Sequence, residues 1–443
     1  MISYRNQKMK LTAILIALAS MFTTFSHAAE PIKLHPDNPH YFLFRGKPTI
    51  LITSAEHYGA VLNLDFDYIP YLDALQETGM NLTRTFSGVY CEKPGEFKIE
   101  KNTLAPDDGR LIAPWARSSK PGYTRGGNKF DLTKWDNAYF KRLKDFIRQA
   151  GKRGVVVELV FFCPNYNDGL WTLSPTNAIN NINGYSKVSS KEVYTLKDER
   201  LTQSQDAMVR KIVQKLESFD NLYYEICNEP YFGGVTLEWQ KHIAQVITDT
   251  ESGFKQKHLI AQNIANGSKV IENPDPNVSI FNFHYAYPPN AVAQNFKLDR
   301  VIGYDESGFH GIGDTKYRGD AWAFILAGGG EFNNLDYSFT TECEDGTASQ
   351  NAPGGGSQAL RTQLNILQDF MHTFNFIRMK PDPSIITSIK GKNKPKAWAL
   401  EREGKEYALY IQKGPQAKLR LKIPQGNYRV EWVNTTTGMV DRN

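Results

Sequence analysis

Cysteine is scarce in this chain of 443 residues. The four present, Cys91, Cys163, Cys227 and Cys343, are too few for a disulfide scaffold and lack the paired short spacing of a zinc site. An oxidising compartment would permit a bridge, but the spacing singles out no pair. Excess charge is nearly absent as well. Lys and Arg number 52 against 47 Asp and Glu, a net charge of +5, and no basic block interleaves with aromatics, so a nucleic-acid partner is not expected. HExxH, the phosphate-binding P-loop and GxSxG are all missing, which removes the corresponding zinc, nucleotide and serine-hydrolase chemistries. Neither a cofactor nor a metal is expected. A metal-dependent hydrolase would need clustered His and Asp at strand ends, and only His57 and His284 are placed for that. The oligomeric state stays open.

Long apolar runs are limited to one, from Leu11 to Phe22. Arg5, Lys8 and Lys10 precede it and Ser26-His27-Ala28 follows it, the pattern of a secretory signal over residues 1–28 cut after Ala28. Losing those three basic residues leaves a net charge of +2. The expected mature protein is secreted or periplasmic. No later stretch could span a bilayer and no cysteine stands directly after the cut to carry a lipid, so no membrane anchor is expected.

What the chain does contain is alternation. With 41% hydrophobic residues it can bury a large core. After a short hairpin turning at Arg45-Gly46-Lys47-Pro48, apolar runs such as "TILITS", "VVVELVFF" and "VSIFNFHY" alternate with amphipathic stretches. In "LTKWDNAYFKRLKDFIRQAGKRG", Trp135, Tyr139, Leu143, Phe146 and Ile147 recur at helical intervals. Eight strand-like runs fall between Thr49 and Leu335, and the glycine-rich loop of a dinucleotide fold is missing. An α/β fold follows, a (β/α)8 TIM barrel spanning 29–380. Segments from about Gly88 to Phe130 and from about Pro164 to Arg200 follow strands, so they are loops at the barrel's C-terminal face, where such folds keep their sites. From 381 to 443 the pattern changes to short alternating strands, a small antiparallel β domain of sandwich type that is expected to be incomplete.

The chemistry lies at two strand ends. "YYEICNEP" closes an apolar run with Asn228, Glu229 and Pro230, and the proline stops the strand because it cannot donate to a ladder. "RVIGYDESG" ends likewise on Asp305 and Glu306. Glu229 ends the fourth strand and Glu306 the seventh, so the two carboxyl groups face each other across the barrel mouth, as glycosidic bond cleavage requires. Other residues suited to the cleft are His57, within "SAEHYG" after the first strand, and Trp171 and Tyr166 in the long loops, whose rings could stack on a sugar.

On these residues the chain resembles the clan A glycoside hydrolases, cellulase-like retaining enzymes on a TIM barrel, over about Ile32 to Arg378. The resemblance implies a carbohydrate substrate, Glu229 as general acid/base, Glu306 as nucleophile and Asn228 as the group holding the sugar 2-hydroxyl. It also implies that Arg84, in "GMNLTRTF", lies near the nucleophile and that His284, in "FNFHYAY", stands on the sixth strand. Two positions depart from the pattern. Ala286 replaces a tyrosine that in many members bonds the nucleophile, and Tyr285 and Tyr287 both lie on the opposite face by strand periodicity unless a bulge turns one of them inward. Asp305 replaces a glycine, and alternation should turn it away from the site. The rival reading is a sugar-binding barrel without turnover.

Overall fold

The computed structural model describes residues 30–442 apart from 186, 350–352 and 414–416. The signal expected over 1–28 lies outside the described residues. Eight parallel strands form one sheet: β1 (Leu51–Ala55), β2 (Leu82–Phe86), β3 (Val156–Phe162), β4 (Leu222–Cys227), β5 (Ile260–Asn266), β6 (Ile280–His284), β7 (Val301–Ser307) and β8 (Glu331–Leu335). Their near-continuous apolar sequences are what strands covered on both sides need, and β1 to β4 are buried throughout. This is the expected TIM barrel.

The ladder runs unbroken from β1 through β8 and back down to β2, leaving the β1–β2 seam to close otherwise. Asn81 closes it. Its side-chain Nδ2 donates to the Ile50 carbonyl at 2.9 Å and its Oδ1 accepts from the Ile52 N–H at 2.8 Å, so one amide does the work of a ladder step. At the upper end the Phe86 N–H donates to the Tyr58 carbonyl at 3.0 Å. Replacing Asn81 by Ala strands the Ile50 carbonyl just before β1 and the Ile52 N–H within it, each worth roughly 1–3 kcal/mol when left unpaired. Denaturant unfolding of Asn81→Ala should therefore show a loss of about 2–6 kcal/mol, and an unchanged midpoint would mean that the seam is held by packing alone.

Helices cover the sheet, and the first four are each started by a capping side chain. Asp67 caps α1 (Tyr68–Glu77), Asp136 caps α2 (Asn137–Lys152), Asp198 caps α3 (Glu199–Leu216) and Thr236 caps α4 (Leu237–Thr250). Further round come the short α5 (Asn290–Asn295), then α6 (Asp314–Leu326) and α7 (Gln358–His372), which completes the ring. Trp135 is not on the α2 face as its spacing suggested. It ends a strand, Asn128–Trp135, that pairs with Trp115–Pro121 within the first long loop. The Asp136 cap sets the helix start one residue later, overriding the periodicity. The two long loops also bond to each other, with Phe130 N–H donating to the Asn180 carbonyl at 2.8 Å.

Below the barrel, strands Lys33–His35, Asn38–Phe44 and Lys47–Thr49 form a meander whose Phe42 and Phe44 pack on the strand starts. Beyond the barrel, Lys380–Pro381, Lys396–Arg402 and Glu406–Gln412 make one small sheet, and two further strand pairs follow. The sheet lies on α6, with Tyr410 5.6 Å from Trp322 and stacked on Trp398 at 5.9 Å. Trp432, by contrast, is 46% exposed. All four cysteines are free thiols. Among the described residues no helix is long and apolar enough to cross a membrane.

Candidate active site

The upper ends of β1, β4 and β6 leave the sheet abruptly, and three non-glycine residues there adopt left-handed backbone: Tyr58 at φ 61°, Glu229 at φ 36° and Tyr285 at φ 49°. Such conformations cost about 1–3 kcal/mol each and persist where the surroundings over-determine them. All three side chains line one pocket together with His57, Asn228 and Glu306.

Within it, Glu229 Oε2 accepts from the Tyr166 hydroxyl at 2.6 Å, and its Oε1 accepts from Tyr231 at 3.3 Å and stands 3.2 Å from His284 Nδ1. Glu306 Oε1 accepts from the Tyr285 hydroxyl at 2.6 Å and its Oε2 from the Tyr58 hydroxyl at 2.8 Å. His284 Nδ1 is also 3.4 Å from Glu306 Oε1, so the imidazole stands between the two carboxyls. A carboxylate oxygen of Glu229 and one of Glu306 lie within 4.8 Å of each other.

The electrostatics separate these groups. Burial alone would raise the Glu306 carboxyl, but the facing His284, then Arg84 at 3.8 Å and the Tyr285 hydrogen bond reverse this and hold it well below the usual carboxylate range. Burial would discharge His284, yet the facing Glu306 and Asp305 push it well above its ordinary value, which favours the imidazolium. Beneath the pocket Arg84, wholly buried, donates to Glu225 Oε1 at 2.6 Å and to Asn228 Oδ1 at 2.9 Å. Three more acids share that interior. Burial raises Glu225 to about 7 and lifts Glu158 and Glu331 well above the carboxylate range, which favours their protonated forms; Asn282 Nδ2 donates to Glu158 Oε1 at 2.9 Å and to Glu225 Oε2 at 3.1 Å, and the Tyr223 hydroxyl donates to Glu331 Oε1 at 3.0 Å.

Of the residues expected from sequence, Glu229, Glu306, Asn228, His57 and Tyr285 line the pocket, His284 bridges the carboxyls and Arg84 supports from below. Tyr285 reaches Glu306 because β7 carries one extra residue where His284 pairs with Glu306, and because its own backbone turns left-handed. Two expectations fail. Asp305, the extra residue of that bulge, does not turn away: it is buried 3.4 Å from His284 Nε2 and 3.5 Å from Arg84. Trp171 is not brought to the pocket. It is buried in the second long loop, its Nε1 donating to the Val188 carbonyl at 2.8 Å.

Sequence reasoning missed Tyr231, Glu92 and the interior pair Glu158 and Glu225. The last had a signal, a lone Glu inside each of the apolar runs "VVVELVFF" and "YYEIC". Two triads bring ligand-type atoms close enough for a metal ion among the described residues, Glu229–His284–Glu306 and Glu158–Glu225–Asp305. An imidazolium offers no lone pair in the first, and the Arg84 guanidinium fills the second.

Residues 110–324 match the family model Cellulase (glycosyl hydrolase family 5). The match spans 215 of the 443 residues, and over it the chain is similar to the family 5 glycosyl hydrolases. That makes the protein a glycoside hydrolase acting on carbohydrate, and the matched span contains Glu229, His284 and Glu306. The family 5 barrel is also found among solved structures. A Bacteroides vulgatus protein provisionally named a glycoside hydrolase aligns with TM-score 0.57 and 13% identity over 85% of this chain and 67% of its own. A family 5 glycoside hydrolase of the same organism gives 0.52 and 12% over 84% and 77%, and an endo-1,4-beta-mannanase of Rhizomucor miehei gives 0.52 and 14% over 78% and 100%. At such identities these likenesses establish the fold. A comparison with curated proteins by sequence returns no match.

Proposed function

We propose that this protein is a secreted retaining glycosidase working by double displacement. Glu306 attacks the anomeric carbon while Glu229, in its acid form, protonates the departing oxygen. Glu229 then takes a proton from water, which opens the glycosyl–Glu306 ester with a second inversion. Asn228, held by Arg84 through its Oδ1, turns its Nδ2 toward Tyr166 and the pocket and is the group offered to the sugar 2-hydroxyl.

One observation carries the reading: oxygens of Glu229 and Glu306 lie within 4.8 Å of each other. Retaining enzymes hold their carboxyl groups about 5–5.5 Å apart, whereas inverting ones leave about 6.5–9.5 Å for an attacking water. The depressed Glu306 supports its role, since a nucleophile has to be ionised. Secretion rests on the leader-like residues 1–28 alone, and N-terminal sequencing of the extracellular fraction should find a chain beginning near Ala29.

The pH profile tests the assignment of Glu306. Removing the Tyr285 donor withdraws a hydrogen bond that favours the charged form, so the Glu306 carboxyl rises. Because the ionised form reacts, the acid limb of kcat/KM in Tyr285→Phe should move to higher pH, by roughly one unit for a charge-assisted bond of about 1.5 kcal/mol. A limb that stays put or moves down would separate Glu306 from that ionisation.

A further inference from the structure

Two tyrosines flank Ala286 just beyond β6, and their side chains part. Tyr285 turns into the pocket, where its hydroxyl donates to Glu306 Oε1 at 2.6 Å. Tyr287 turns instead onto the small sheet that follows the barrel. Its hydroxyl donates to Gln412 Oε1, at the end of strand Glu406–Gln412, and its ring meets that of Trp398, on the neighbouring strand Lys396–Arg402, edge on at 6.3 Å. Lys316 Nζ of α6 stands 4.3 Å from the centre of the same ring and Lys396 Nζ of the sheet 5.8 Å, both within cation–π range. Sheet and helix together grip Tyr287.

The backbone between the two tyrosines has little slack. The Tyr287 N–H donates to the Tyr285 carbonyl at 2.9 Å, closing a three-residue turn around the buried Ala286, and the Tyr285 N–H donates to the Glu306 carbonyl at 2.9 Å. Tyr285 itself stands at φ 49°, a conformation that persists where the surroundings over-determine it. If Tyr287 moves, Tyr285 has to follow or the turn has to open. The fit around Gln412 is close on its other side too. A Cβ on Gly319 of α6 would stand 2.6 Å from Gln412 Nε2, so a larger residue there would push the amide aside. Glycine is unfavourable inside a helix, and at this position it leaves room for that amide.

We propose that the small sheet takes part in catalysis from outside the pocket: Gln412 and Trp398 anchor Tyr287, and the turn from Tyr285 to Tyr287 carries that anchorage to the hydroxyl that holds Glu306. Gln412 and Tyr287 are then positioning residues for the nucleophile. This rests on the glycosidase reading above and gives the sheet a part in it. The Tyr285 hydroxyl has to stay at hydrogen-bond distance and angle from Glu306, outside which the interaction weakens steeply. A misplacement of about 1 Å caused far from the reacting atoms can cost roughly 10²-fold in rate.

The test compares Gln412→Met, which keeps the length and removes the acceptor, with Gln412→Glu, which restores one. Both are made in the full mature chain and assayed on p-nitrophenyl β-glucoside and β-mannoside and on β-1,4-linked gluco- and mannohexaose. Gln412→Met should lower kcat by roughly 10-fold and leave KM within about twofold, and Gln412→Glu should recover most of that loss. In a Tyr285→Phe background the same Gln412→Met change should alter kcat by less than about twofold, because the route from the sheet to Glu306 is already cut, whereas independent sites would multiply their losses. A crystal structure of Gln412→Met should show the Tyr285 hydroxyl displaced from Glu306. Wild-type kcat in Gln412→Met, losses that multiply in full with Tyr285→Phe, or a Tyr285 hydroxyl still 2.6 Å from Glu306 in the variant would overturn the inference and leave the glycosidase reading intact. Hydrolysis that persists in Glu306→Ala would overturn the glycosidase reading, and with it any part for the sheet in holding a nucleophile. No hydrolysis of any of these substrates by wild type would overturn both.

Discussion

Glu306→Ala should lose activity by at least about 10⁴-fold on every glycoside, whatever the leaving group, because removing a nucleophile stops the first step itself. Tyr58, Tyr285 and His284 stay in place to hold an anion where the carboxylate was. Added azide should occupy that space, attack the anomeric carbon directly and give a glycosyl azide of inverted configuration, which proton NMR reads. The variant should also fold normally. Deleting the Glu306 carboxylate leaves His284 and Arg84 facing Asp305, which lies 3.4 Å from the one and 3.5 Å from the other and still partners both. Near wild-type turnover in Glu306→Ala would remove the residue from the mechanism.

Glu229→Ala should fail selectively. The loss should be about 10²–10⁴-fold on substrates whose leaving oxygen needs a proton, the usual span of general acid catalysis. A 2,4-dinitrophenyl glycoside needs none, so the glycosyl-enzyme should still form and accumulate as a burst of dinitrophenol. Azide then attacks from the face that Glu229 vacated, and the product keeps the substrate's configuration. Swapped azide products between the two variants would exchange the assignments.

The barrel was legible because its strands are buried on both sides, so their sequences are apolar end to end and a polar break marks the exit into the cleft. Asn228-Glu229-Pro230 and Asp305-Glu306 are such breaks, and counting strands between them predicted that they would meet. Alternation failed at the bulge. A single extra residue on β7 puts Asp305 and Glu306 both inward and lets Tyr285 reach the carboxylate from a position that regular pleating would turn away. No local pattern announces a bulge, because its cause is the pairing of His284 with Glu306 across strands. The helix periodicity that included Trp135 failed for a related reason, since the preceding strand is stabilised by its partner Trp115–Pro121 and not by its own residues. Aromatic residues in loops were equally ambiguous. Trp171 and Tyr166 come from one segment, yet one is consumed in packing and the other donates to Glu229.

The most direct measurement is to trap the intermediate. A 2-deoxy-2-fluoro glycoside with a dinitrophenyl leaving group slows both steps and the second more, so the ester accumulates and can be located by peptide mass spectrometry. Double displacement through Glu306 predicts one sugar per chain, carried on the peptide containing Glu306, and absent in Glu306→Ala. A label on Glu229, or no label together with a first-formed product of inverted configuration, would contradict it.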